Sequence, residues 1–72
     1  MNTKIIPGGK YAVFTHKGTI ANLIKTYDYI WRSWVLFAKE TLDDREDFEI
    51  YDKRFLGADD ADSQIDIYIP IK

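Results

Sequence analysis

The chain has no cysteine and only one histidine among its 72 residues. Without thiols it can form neither a disulfide nor a thiolate metal site, so packing must stabilise it, aided by any partner chain. Without a second histidine, a transition-metal site is not expected, and His16 is predicted to be a surface or partly buried imidazole. We therefore predict no metal and no cofactor.

Long apolar runs and an excess of positive charge are also lacking. No stretch of 18 apolar residues is present, so the sequence predicts no membrane span. The first residues contain no apolar signal-peptide core, and a cytoplasmic protein is expected. Ten basic and twelve acidic residues give a net charge of −2. This balance argues against direct binding of nucleic acid, because phosphate binding needs a basic surface.

Catalytic motifs are absent from the sequence as well. It contains no Ser/His/Asp arrangement, no glycine-rich phosphate loop before a helix and no dinucleotide fingerprint. No catalytic residue is assigned, which favours a binding module over an enzyme. Aromatic residues, in contrast, make up 15% of the chain. That is more ring surface than one small domain over residues 1–72 can easily bury, which indicates an interface or a pocket.

The pattern of residues predicts a β-α-β-β order. A turn at residues 7–9 precedes an alternating strand at 11–16. Thr19 is a candidate helix cap, and the helix ends between Trp34 and Glu40, where no breaker marks the exact end. Strands follow at 47–51 and 65–71, and Pro70 should end the last strand or place it at an edge. The expected fold is α+β, with one amphipathic helix on a three-stranded antiparallel sheet.

The apolar positions predict which side chains form the core. The helix carries one stripe at intervals of three and four residues: Ile20, Leu23, Ile24, Tyr27, Ile30, Trp31 and Trp34. The isoleucines of the last strand, with Phe48 and Ile50, are expected to pack beneath this stripe. Glu49, Tyr51, Asp66 and Tyr68 would then share the opposite face of the sheet.

Glu49 is the residue of greatest interest, because glutamate is rare in strands and costly to bury without a partner. Beside aromatic rings it could receive an organic cation, or act as an acid or base in a partly dry site. The alternative is a solvated residue on the open side of the sheet, which the pattern alone favours. Trp34 is open to two interpretations, a core residue or a ring that leans over an opening.

Several segments together resemble the second module of GyrI-like small-molecule-binding domains. They are IPGGKYAVF at residues 6–14, HKG at 16–18, TYDYI at 26–30, Trp34, DFEIY at 47–51 and IYIPIK at 67–72. These segments cover nearly the whole chain in the right order. Two positions depart from the family pattern. Residues 35–40 stand where the family usually has a Leu-Pro segment and a glycine-containing turn. Arg45-Glu46 stands where the family often has Gly-Pro. These differences predict a longer helix and an altered groove rim.

The resemblance implies a function as well as a fold. Such domains are similar to the effector-binding halves of AraC-type and MerR-type transcription regulators, in which two β-α-β-β modules form one ligand groove. The characteristic glutamate matches Glu49, which implies binding of cationic, lipophilic ligands of the multidrug type. The implied lining residues are Tyr27, Trp34, Tyr51 and Tyr68. Because this chain holds one module, we expect a homodimer that restores the two-module arrangement.

Other functions remain open at this point. Some relatives hydrolyse reactive cyclopropane compounds, so a hydrolase that uses Glu49 is an alternative. Others bind DNA gyrase, so a protein-interaction module is another. The ends of the sequence suit a complete module, although it could also be a piece of a longer regulator. The sequence identifies neither the ligand nor the choice between binding and hydrolysis.

Overall fold

One helix packs on one face of a four-stranded antiparallel sheet in the computed structural model, which describes residues 2–72. The strands lie in the spatial order β1-β2-β4-β3, and the helix, residues 20–37, connects β2 to β3. Their bounds are β1 Asn2–Ile6, β2 Gly9–Lys17, β3 Phe48–Ile50 and β4 Gln64–Ile71. The predicted α+β class is confirmed, with one strand more than the three expected.

The additional strand is β1, at one edge of the sheet. Its residues, NTKII, lack the alternation of apolar and polar side chains that identifies a half-buried strand. β1 and β2 form a hairpin in which Ile6 lies opposite Gly9, around a two-residue loop of Pro7 and Gly8. Gly8 has φ +107°, a conformation that L side chains rarely adopt, so glycine is required at this turn.

The helix changes its pitch along its length. A 3₁₀ turn at Ile20–Asn22 leads into α1 Leu23–Tyr29, a wider π turn at Ile30–Trp34 and then α2 Val35–Phe37. Ala38 is extended and ends the helix, between the two limits that the sequence predicts. No helical segment within residues 2–72 is long and apolar enough to cross a membrane.

His16 joins the beginning of the helix to β2. Thr19 occupies the predicted cap position, but its side chain makes no capping hydrogen bond. Instead its carbonyl oxygen lies 3.0 Å from His16 Nε2, while His16 Nδ1 lies 2.6 Å from Thr26 Oγ1. The imidazole is therefore buried with both nitrogens bonded, and it is more enclosed than expected.

The buried stripe of the helix is narrower than predicted. Its members are Leu23, Tyr27, Ile30 and Trp34, which pack against the isoleucines of β4. Ile24 is 67% exposed and Trp31 is 44% exposed. Their predicted place in the core is wrong, because a helix on a sheet buries only the positions that face the sheet directly and leaves its flanks open.

Apolar clusters lie on both faces of the sheet. The helix side contains Ala12, Phe14, Ile30, Ile67, Ile69 and Ile71, and the opposite face contains Tyr11, Val13 and Tyr68 with Ile6 and Phe48. Across β3 and β4, Phe48 lies opposite Tyr68 and Ile50 opposite Asp66. Phe48 and Ile50 therefore face away from the helix, and their predicted position beneath it is wrong. The rings of Phe48 and Tyr68 stack with centres 4.8 Å apart.

Pro70 lies inside a central strand, although the sequence predicts a strand end or an edge at this position. Its carbonyl oxygen accepts a hydrogen bond from the backbone N–H of Asp43, at 3.1 Å. In a strand, the N–H and the C=O of one residue point to the same side. The side of Pro70 that lacks an N–H therefore faces this loop and not β2. β3 has already ended there, since it pairs only with residues 66–68 of β4. The proline therefore interrupts no ladder between strands.

Arg45 links the turn between β1 and β2 to the end of β4 through hydrogen bonds. Its guanidinium donates hydrogen bonds to the carbonyl oxygens of Gly8 at 2.8 Å, Lys10 at 2.9 Å and Ile71 at 3.0 Å. Its Nε donates to Asp43 at 2.9 Å. Arg45 stands at one of the two departures from the family pattern, and there it acts as a cross-link between the first hairpin and β4.

Candidate functional site

Glu49 lies on the helix side of the sheet and is half-buried there. Across β3 and β4 it is opposite Ile67, whose side chain belongs to the core under the helix. Paired residues on adjacent strands share a face, so Glu49 must point to the helix as well. The predicted position of Glu49 on the face opposite the core is therefore wrong.

Two tyrosines hold the Glu49 carboxylate. Tyr27, on α1, donates its phenol O–H to Oε2. Tyr51, two residues further along the chain, donates to Oε1 at 2.5 Å. Each carboxylate oxygen thus has a donor, and the glutamate is fixed between a helix and the end of a strand.

The electrostatics keep both phenols neutral. Burial raises the pKa of Tyr27, and its hydrogen bond to Glu49 and the charges of Glu49 and Asp47 raise the pKa further. For Tyr51 the hydrogen bond to Glu49 is the main cause of a raised pKa. The site therefore presents an anion beside two neutral aromatic rings, which is an arrangement that attracts organic cations by charge and by ring-face interaction.

The aromatic rings on the opposite face of the sheet already contact cations of the protein itself. Lys4 Nζ lies 5.8 Å from the ring centre of Tyr68 and donates to its hydroxyl at 3.4 Å. The Arg45 guanidinium lies 4.5 Å from the ring centre of Tyr11. Electrostatics therefore make this face a poorer place for an added cation than the Glu49 side.

The structure brings together three of the five predicted ligand-binding residues, namely Glu49, Tyr27 and Tyr51. Tyr68 belongs to the opposite face of the sheet. Trp34 packs edge-on against Phe14 in the core, with ring centres 4.9 Å apart. For all five residues, ligand binding itself stays a prediction.

A small open pocket beside this site contains residues that sequence reasoning missed. Its lining is Trp31, Leu42, Asp43, Arg45, Asp47, Ile69 and Pro70. The sequence predicts Trp31 in the core, but its partly exposed ring lies at the pocket instead. One signal could have found Asp47, because it precedes Glu49 by two residues and alternation places both on one side of the chain.

The fold and this geometry define a class of protein, an α+β module with a carboxylate held between two tyrosines under one helix. The family model of the GyrI-like small molecule binding domain matches residues 1–72, and the chain belongs to this family.

A curated relative places this match in a larger protein. The chain is similar to the transcriptional regulator BrlR of Pseudomonas aeruginosa, with 46% identity over 68 residues. The aligned region covers 92% of this chain and 24% of the regulator. The chain thus spans about a quarter of the length of this relative.

Proposed function

We propose that the chain binds amphipathic, lipophilic organic cations beside Glu49. The observation that carries this proposal is the half-buried carboxylate between Tyr27 and Tyr51. Within residues 2–72, no ion pair neutralises Glu49. An added cation would supply the missing charge, and the ring faces would contact its apolar part. Because ring faces impose little shape on a ligand, the site should accept several cations of the multidrug type.

The proposed biological role is that of an effector-binding module. Support comes from the family's small-molecule-binding character and from the similarity to a transcriptional regulator. Cation binding would then control a regulatory protein, either within the same polypeptide or as a separate partner. A cytoplasmic location belongs to the same proposal.

Replacing Glu49 with glutamine should weaken the binding of phenyltrimethylammonium about tenfold, which corresponds to about 1.4 kcal/mol. Glutamine keeps the size of the side chain and one of its two acceptor oxygens, but removes its charge. Isothermal titration calorimetry at fixed ionic strength measures this change.

Two controls separate charge at the site from other effects. Glu46→Gln removes an exposed carboxylate from the same segment and should leave the affinity unchanged. The uncharged isostere tert-butylbenzene should bind the Glu49→Gln variant and the original protein equally. Equal affinity of these two proteins for phenyltrimethylammonium would refute the proposed role of Glu49.

We also propose that two copies associate, so that the second module encloses the site. β1 is an edge strand that pairs on one side only. Large apolar side chains stay open in one protomer, among them Ile5 at 80%, Leu36 at 72% and Phe37 at 82% exposure. Apolar surface of this kind is typical of protein interfaces, and a second copy related by a two-fold axis would cover it.

Sedimentation equilibrium at micromolar concentration should give the mass of two 8.4 kDa chains. Phe37→Glu should shift the protein to monomers, because a charge would be buried without a partner. Leu56→Glu is the matched control, since Leu56 is also an exposed large apolar residue, at 58%, but lies in the loop between β3 and β4 and not on the helix. A monomer in the original protein would exclude the proposed association.

A further inference from the structure

The helix and residues 47–49 supply two aromatic–carboxylate pairs. In the first pair, Tyr27 donates a hydrogen bond to Glu49. In the second pair, Trp31 and Asp47 line the same pocket. The cation site proposed above involves Glu49, Tyr27 and Tyr51, and it assigns no role to Trp31 and Asp47.

The spacing of the two pairs matches along both elements. Tyr27 and Trp31 are four residues apart, which places them on one side of the helix about 6 Å apart along its axis. Glu49 and Asp47 are two residues apart along an extended chain, which corresponds to about 7 Å. Four residues of the helix therefore advance by about the same distance as two residues of the extended chain, so the spacing of the two aromatic residues matches that of the two carboxylates.

The second pair also keeps an uncompensated negative charge. In the part of the chain that the structure describes, no ion pair involves Asp47. Arg45 lines the pocket too, but its Nε contacts Asp43, and its terminal nitrogens donate to backbone carbonyl oxygens. Arg45 and Asp43 neutralise each other, so Asp47 determines the net charge of the pocket.

The remaining lining suits an organic cation better than an inorganic one. Leu42 and Ile69 give the pocket an apolar part, and the partly exposed indole of Trp31 offers the aromatic face that binds cations best. The charge of Asp47 also contributes to the raised pKa of Tyr27, which indicates that the two pairs are close enough to share one field.

We propose that Trp31 and Asp47 form a second cation subsite, and that the two subsites together select organic dications with charges about 6–7 Å apart. This proposal rests on the function proposed for Glu49, because the first charge of the ligand would occupy that site. The second charge would lie between the indole and Asp47. Binding through two linked charges gains affinity when the linker matches the distance between the subsites.

The test compares bis(trimethylammonium)alkanes of increasing length with alkyltrimethylammonium monocations of the same chain length. A linker of about four or five methylene groups spans the distance from Glu49 to Asp47, so this dication should bind best. We expect it to bind about tenfold more tightly than its monocation, as measured by calorimetry at fixed ionic strength.

Variants assign the gain to the second subsite. Asp47→Asn should lower the affinity for the dication more than the affinity for the monocation, so that the two ligands bind this variant about equally. The monocation should lose some affinity too, because charges about 6–7 Å apart lie within one Debye length. Asp44→Asn is the matched control, since Asp44 is an exposed aspartate of the same segment outside the pocket. Circular dichroism should be the same for all three proteins.

The outcomes separate this inference from the function on which it rests. A dication that binds no better than its monocation, or whose advantage survives Asp47→Asn, overturns the second subsite. Monocation binding that depends on Glu49 would then still support the first. If neither probe binds, both proposals are overturned together.

Discussion

Replacing Ile67 with alanine should lower the free energy of unfolding by about 2–5 kcal/mol. Ile67 is fully buried between the helix and the sheet, in the same cluster as Ile30. Alanine would leave a cavity, and the surrounding strand and helix can close it only in part. A domain of this length has roughly 4–10 kcal/mol of stability, so the variant should be close to unfolding.

Urea denaturation followed by circular dichroism, at one protein concentration, measures this loss. Ile24→Ala is the matched control, because Ile24 is 67% exposed on the helix. Its stability should change by no more than about 0.5 kcal/mol. A loss below about 1 kcal/mol for Ile67→Ala would show that the helix does not pack on this part of the sheet.

Replacing Asp66 with asparagine should destabilise the protein by about 1–3 kcal/mol at neutral pH. The carboxylate is buried and accepts hydrogen bonds from Arg54 at 2.6 Å and Thr15 at 2.8 Å. Burial alone would raise its pKa, but the bonds from Arg54 and Thr15 outweigh burial and hold the pKa below 3.8. Arg54 is 35% exposed, so water weakens the ion pair and the expected loss stays moderate.

The same carboxylate makes stability depend on pH. The pKa of Asp66 is lower in the folded state than its ordinary value of 3.8. Its contribution to the free energy of unfolding is therefore complete above pH 3.8 and is lost as the pH falls through the lower folded-state pKa. Asp66→Asn should therefore show a flatter decline of stability in acid than the original protein. Asp59→Asn, an exposed control, should keep the original profile. Parallel acid profiles for the original protein and Asp66→Asn would contradict this assignment.

The sequence predicts the helix and β4 well, because their apolar periodicities are local. It does not predict which face Glu49 occupies. Alternation shows that Glu49 and Tyr51 share a side, but the choice of side depends on the register with Ile67. That register is a long-range contact, and apolar residues on both faces of the sheet remove the local signal.

The candidate site shows the same limit. Resemblance to the family selects Glu49, Tyr27 and Tyr51, which the fold brings together. It also selects Tyr68, although the alternation of β4 correctly places this ring on the face opposite the isoleucines. The error lies in placing Glu49 on that face as well. Trp31 and Trp34 both fit the helical stripe, and only packing against Phe14 determines that Trp34 is the more enclosed of the two.

The central claim is that an organic cation binds on the helix side of the sheet, beside Glu49. Intermolecular nuclear Overhauser effects between the methyl groups of phenyltrimethylammonium and isotope-labelled protein test it most directly. We predict cross-peaks to the ring protons of Tyr27 and Tyr51. Cross-peaks to Tyr68 and Phe48 in their place would put the cation on the opposite face and contradict the account.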